Sequence, residues 1–386
     1  MQKIILVLFL TLYIQAQDLH DLVMLSYKND PVIAHLNASV KLYETKTLSS
    51  DLWENPNLSL GITDIQIDNI SHRSLEPMQT HFISIAQKIP LSDKLSLSKE
   101  LSSLKEEIAR LKVQDRKRVI QSKLTLLVYE SVIMKRRLKL LQKNRRNFYR
   151  IKQLLQGYQA DAEYIMEIEQ VLSVLKIKEK TYLAKEEIFT KQIQELILQK
   201  PKDIEVKLDF VDLDTKLLKN HPLFALYQKD IQIAQKSIDL AVAKQKADIK
   251  VRAGYYQRQN RDDYINLSVS MPLQIRGRED IALKVAKVAL SVQEHKAMAL
   301  HNRFENSVKM LMITMDQNRA TYRLYKQNIL PKQKKISKYL RSKNSLNQVS
   351  MITLINNANK VIKYQDKALD ALLAYFKAYA KMRYYL

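Results

Sequence analysis

The chain offers carboxylates, histidines and methionines as reactive groups, but none of its 386 residues is a cysteine. Without a thiol there is no disulfide framework, no thiolate metal site and no cysteine nucleophile. Met310, Met312 and Met315 are close enough in sequence to suggest a thioether site for copper, yet Met315 falls on a helical seam, so the trio reads as gap-filling packing. The seven histidines, among them His20, His72, His81 and His221, are scattered like surface or loop positions rather than grouped as ligands. No Gly-rich phosphate loop, His-Glu-x-x-His pair, nucleophile elbow or EF-hand loop occurs. The chain therefore reads as a non-enzyme with no cofactor and no metal. Two carboxylates remain, Asp161 and Glu163, just past a break between long helical stretches. Facing a narrow passage in a symmetric assembly they would form an acidic ring that selects cations. Alternatively they form a charged first turn that complements a helix N-terminus.

The elements that place these residues are long helices. From Asp93 to Pro201 there is no proline, and Gly157 is the only glycine. Some 60 residues without a breaker make a helix roughly 90–100 Å long at about 1.5 Å per residue. Its apolar residues advance in steps of four and three: Leu97, Leu101, Leu104, Ile108 and Leu111, then Ile120, Leu124 and Leu127, then Met134, Leu138, Leu141 and Phe148. On a Lys/Arg/Glu-rich helix this is a coiled-coil seam that requires partner helices.

At the N-terminus, Met1-Gln2-Lys3, the apolar run Ile4 to Ile14 and the small residue Ala16 form a secretory signal, with cleavage expected after Ala16. No cysteine follows to carry a lipid. No other apolar run reaches the ~18–20 residues of a spanning helix, so membrane contact must come from strands or a helix surface. The net charge of +24 is spread along the helices rather than clustered with aromatics, which reads as solvated helix faces rather than a nucleic-acid surface.

The chain repeats itself once. Asn29-Asp30-Pro31 opens a helix running to about Glu54, and Asn220-His221-Pro222 stands 191 positions later (222 − 31). Leu58, Leu60 and Ile62, continued by Ile65 and Ile67, alternate as a strand, as do Ile83, Ile85 and Ile89. In the second half Ile249, Val251, Ala253 and Tyr255 form one strand and Ile265, Leu267, Val269 and Met271 its return. A second long helix from Gly277-Arg278 carries the seam Phe304, Val308, Leu311, Met315, Tyr322, Tyr325 and Ile329, with a kink expected at Pro331. The last helix carries Ile355, Ala358, Ile362, Leu369, Leu372 and Phe376. The expected organisation is a signal peptide at 1–16; a first repeat at 17–200, with a β-hairpin at about 57–90 and a helical hairpin at about 93–200 turning near 157; a connector at 201–219; and a second repeat at 220–386, with a β-hairpin at about 249–272 and a helical hairpin at about 277–386 turning near 347.

Two strands per half cannot stand alone in water, and four still leave open edges that lipid does not tolerate. Three copies would close a twelve-stranded barrel. The alternation of Ile265, Leu267 and Val269 with Asn266, Ser268 and Ser270 suits such a wall, apolar toward lipid and polar toward a wet lumen.

With these residues in place the chain resembles the TolC-like outer-membrane efflux channels over its whole mature length. The resemblance lies in Asn29-x-Pro31 and Asn220-x-Pro222, in Pro56-Asn57-Leu58-x-Leu60, in Ile89-Pro90-Leu91 and Met271-Pro272-Leu273, in Gly277-Arg278, and in Gly157-x-x-Ala160-x-Ala162 at the first helical turn. Asn344 and Asn347 stand at the second turn where a glycine is usual, and Lys94-Leu95 where Gly-Lys is usual. The resemblance implies a mainly α homotrimer with a small β-barrel in outer-membrane lipid and a periplasmic α-helical tunnel. It also implies a periplasmic adaptor (membrane fusion protein) and an inner-membrane pump, for example of the RND type. Gly157, Tyr158 and Ala160, with Asn347, Val349 and Ser350, are the residues expected to dock the partner. The rival reading is a periplasmic coiled-coil adaptor or scaffold without a pore, which would carry one hairpin flanked by Gly-rich β-domains; the chain has two hairpins and four glycines.

Overall fold

A computed structural model describes residues 18–65, 67–69, 79–213, 220–342 and 348–386. The elements in chain order are α1 (Leu19–Asn29), α2 (Pro31–Ser49), β1 (Asn57–Thr63), β2 (Thr80–Ile89), α3 (Lys94–Gly157), α4 (Ala162–Ile197), α5 (Pro222–Lys244), β3 (Ile249–Arg258), β4 (Tyr264–Ser270), α6 (Arg278–Leu324), α7 (Leu330–Arg341) and α8 (Gln348–Tyr385). The described residues form two compact units, one drawn from within Met1–Ile33, Asp115–His221 and Asn302–Leu386, the other from within Ala34–Gln114 and Pro222–His301. Each unit draws on both sequence repeats. The expected signal peptide lies outside the described residues.

In the first unit the sequence seam is the core. Ile120, Leu124, Leu127, Met134, Leu141 and Phe148 of α3 are buried, as are Phe304, Val308, Met315 and Tyr322 of α6 and Ile355, Ala358, Leu369, Leu372 and Phe376 of α8. The Phe376 ring stacks on Tyr129 with centroids 4.1 Å apart, and Tyr375 meets Phe210 edge-on at 4.7 Å. The Tyr375 hydroxyl accepts from the Val211 N–H at 2.9 Å and donates to the Val211 carbonyl at 3.0 Å, so the described part of the connector is clasped to α8. Before Pro331 the helix widens into a π-turn over Tyr325–Ile329, which accommodates the missing proline N–H as local unwinding rather than a break.

The Asn-x-Pro motifs are helix junctions. The Asp30 carboxylate accepts from the Ile33 N–H at 2.7 Å and pairs with Arg116 at 2.8 Å, while Pro31 begins α2 and Asn29 donates to the last carbonyl of α4, that of Ile197, at 2.7 Å. Burial would raise the Asp30 pKa, but the bonds from Arg116 and the backbone outweigh it and hold the acid below its usual range. The second copy of the motif differs. His221 is buried, its Nε2 2.9 Å from the Tyr384 carbonyl and its ring against Phe304 and Tyr384 at 4.9 Å. Burial and the nearby Arg118 charge hold the imidazole down at about 4.

In the second unit α5 is tied to the start of α3 by Lys229–Glu107 at 2.6 Å and Lys236–Glu100 at 2.7 Å. The four strands form one antiparallel sheet in the order β1-β2-β3-β4. Two boundaries differ from the sequence expectation. Helix α2 stops at Ser49 rather than Glu54, where Thr45, Thr47, Ser49 and Ser50 turn their hydroxyls back onto carbonyls of the preceding turn and compete with the helix. Strand β1 ends at Thr63 because Asp64 adopts a left-handed conformation (φ +57°), and Ile67 lies in a 3₁₀ turn instead of a strand.

Candidate functional site

The sheet has two chemically distinct faces. Cross-strand rows set Leu58 beside Ile85, Ala253 and Leu267, and Leu60 beside Ile83, Tyr255 and Ile265. These rows are open to the surroundings: Leu60 and Leu267 are each 70% exposed and Ile265 77%. An apolar face of this extent marks a membrane or protein contact rather than a surface for water. On the opposite face Ser59, Ser84, Gly254 and Asn266 form one row and Gly61, Phe82, Tyr256 and Tyr264 the next. Phe82 stacks on Tyr256 at 5.3 Å and Tyr256 on Tyr264 at 4.9 Å. A Cβ at Gly61 would come within 2.6 Å of the Phe82 ring, so this row requires a glycine there. Strands β1 and β4 are the sheet's outer strands, each with one unpaired edge.

The turn between α3 and α4 brings together Gly157, Tyr158, Ala160, Asp161 and Glu163. Gly157 is the last residue of α3, and a side chain there would meet nothing within 4 Å. The left-handed residue is Gln159 (φ +50°). The Ala160 N–H bonds to the Leu155 carbonyl at 3.0 Å and the Gln159 N–H to the Gln156 carbonyl at 3.1 Å, a Schellman closure with Gln159 where glycine is favoured. Ala160 packs against the cluster holding Leu155 and Ile168, to which Leu340 of α7 and Met351 and Leu354 of α8 also belong. Residues of α7 and α8 thus share one apolar cluster with the turn between α3 and α4. Tyr158 is 41% exposed, and Asp161 and Glu163 stand exposed at the start of α4. Val349 and Ser350 lie in the first turn of α8, whereas Asn347 falls outside the described residues.

The methionine trio divides: Met315 is buried, but Met310 and Met312 are 61% and 40% exposed. Packing therefore accounts for Met315; Met310, five positions earlier, points away from that seam, while Met312, three positions earlier, lies nearer to it but is still exposed. Among the described residues no helix is long and apolar enough to cross a membrane.

No protein-family model matches the sequence, and no curated protein matches it. Solved structures do. A membrane protein from Pseudomonas aeruginosa superposes with a TM-score of 0.79 at 11% identity, over 95% of this chain and 93% of that one. The open state of the Neisseria gonorrhoeae MtrE outer-membrane channel gives 0.76 at 14%, over 95% and 88%. The Campylobacter jejuni CmeC outer-membrane channel gives 0.72 at 12%, over 95% and 85%. The fold is that of the TolC-like outer-membrane channels. Within this channel fold, four antiparallel strands on a mainly helical chain match the composition read from the sequence. The basic side chains on the polar sheet face were passed over there, although their alternate spacing in β3 was visible.

Proposed function

We propose that the chain is the outer-membrane channel subunit of a tripartite efflux system. The observation that carries this reading is the four-stranded sheet with two outer edges and an uncharged, exposed apolar face. Three copies joined edge to edge leave no edge exposed and turn twelve apolar strand faces toward lipid. Export through the residue 1–16 signal takes the chain to the outer membrane, with its helices in the periplasm. Transport is passive, driven by an inner-membrane pump through a periplasmic adaptor, and requires no catalytic residue. The turn at Gly157, Tyr158 and Ala160, with Asn347, Val349 and Ser350, is the adaptor-docking surface. Asp161 and Glu163 form the charged first turn of α4 and complement its helix N-terminus.

The mature protein purified in detergent is expected to be a stable trimer that conducts in planar bilayers. A monodisperse monomer without conductance contradicts the reading and favours an adaptor or scaffold without a pore.

A further inference from the structure

The strands carry four charged residues, all basic, and all on one face. Lys88 lies in β2 and Lys250, Arg252 and Arg258 in β3, at alternate positions that share the face of Gly254 and Tyr256. Strands β1 and β4 contain no charged residue. The apolar face therefore has no charge, and the polar face has no carboxylate.

The four cations are not equivalent. Lys88 is held by Glu54 at 2.7 Å and lies 3.7 Å from Asp248, acids that precede the strands. Arg258 donates to the Asp262 carbonyl at 3.0 and 2.7 Å, with its guanidinium 5.0 Å from the Tyr264 ring centroid. Lys250 and Arg252 are exposed and, among the described residues, make no ion pair. Lys250 sits between Lys88 and Ser270, and Arg252 between Ala86 and Ser268, so three of the four neighbours are too short to cover them. A like-charge pair across two strands, Lys88 with Lys250, destabilises a sheet unless the charge is used or compensated. Glu54 and Asp248 compensate Lys88; among the described residues no carboxylate pairs with Lys250.

We infer that this face lines an anion-selective passage, with Lys250 and Arg252 as its selecting residues and anionic solutes as the favoured substrate class. The inference rests on the channel reading above: in a three-copy barrel the polar face turns inward and each of the two positions becomes a ring of three cations. For charges about 10 Å from the axis, screened over about one Debye length, each ring enriches monovalent anions over neutral solutes about twofold. Two adjacent rings give about fourfold.

The test is the reversal potential of the purified full-length protein in a planar bilayer under a potassium chloride gradient. The wild type is expected to pass chloride in preference to potassium. Lys250→Ser with Arg252→Ser, which introduces the residue type already present at 268 and 270, should lower the chloride-to-potassium permeability ratio about sixteenfold, because the same potential that enriches anions about fourfold depletes cations about fourfold. Lys250→Arg with Arg252→Lys should leave it unchanged. A wild-type ratio at or below one, or a ratio that the double serine variant does not lower, overturns the inference while leaving the channel intact. Absence of conductance from the wild-type protein instead removes the channel reading, and the inference with it.

Discussion

Placing an arginine at Leu267 separates a lipid-facing sheet from a water-facing one. Leu267 is 70% exposed and its row neighbour is the small Ala253, so in water Leu267→Arg removes little packing and is expected to shift stability by less than about 0.5 kcal/mol. In a bilayer the same change puts a guanidinium against hydrocarbon. Leu267 is the fourth of the seven residues of β4, and each step of a strand tilted ~45° advances only ~2.3 Å along the membrane normal. Its position thus falls close to the middle of the apolar band, where the cost is about 2–4 kcal/mol. Ser268→Arg, one residue on and on the opposite face, serves as the control and should cost less than about 1 kcal/mol in either medium. Trp53, the single tryptophan, is 56% exposed just before β1 and reports unfolding by fluorescence. Guanidinium titrations of both variants in lipid vesicles should show a large loss for Leu267→Arg and little for Ser268→Arg. Equal tolerance at the two positions in vesicles refutes the membrane wall.

Three further outcomes follow from local geometry. Gly157→Ala fills open space on a helical residue and should raise stability by about 0.5–1 kcal/mol, while Gln159→Gly relieves a left-handed non-glycine and should gain about 1 kcal/mol; thermal unfolding measures both. His221 is neutral in the folded protein down to about pH 4 but titrates near 6.5 when unfolded, so the unfolded chain binds more protons in that window. Stability should fall by about 3 kcal/mol as pH drops from 6.5 through 4, with no effect above 6.5, and His221→Gln should flatten that slope in denaturation curves taken across the range. Ala160→Trp should abolish export in cells while the purified trimer is unchanged; normal export by that variant would move the docking surface away from this turn.

The helical frame was legible because its signal is periodic and redundant. Leu124, Met134, Phe148, Phe304 and Phe376 each follow from a three-four spacing that a single misread residue does not spoil, and all are buried. The strand faces were legible for the same reason, since a period of two assigns every residue to a side. Features set by one contact were not. The left-handed residue of the first turn is Gln159 and not Gly157 two positions earlier, because Ala160, bonded through its N–H to the Leu155 carbonyl and packed against the cluster that holds Leu155, fixes where the helix closes. The Asn-x-Pro repeat is visible in sequence, but not that Asp30 caps a helix and meets Arg116 whereas His221 sits buried against Tyr384. The clasp of Tyr375 on Val211 joins residues 164 positions apart and leaves no local trace. At the tip, Asp161 and Glu163 do occupy the start of α4, the position that complements a helix N-terminus; the ring reading needs the other two copies.

Edge-to-edge closure of the sheet is the claim on which the channel rests, and the absence of native cysteine makes it directly measurable. Within one chain β1 and β4 are separated by β2 and β3, roughly 14 Å at ~4.8 Å per strand, beyond the ~7 Å reach of a disulfide. Cysteine at Ser59, combined in turn with cysteine at Asn266, Ser268 or Ser270, can therefore bridge only between copies. Oxidised outer membranes should yield, for the pair in register, a covalent species of three chains on a non-reducing gel, returned to monomer by reductant. Monomer throughout the series, with both thiols still open to labelling, would contradict the closed barrel.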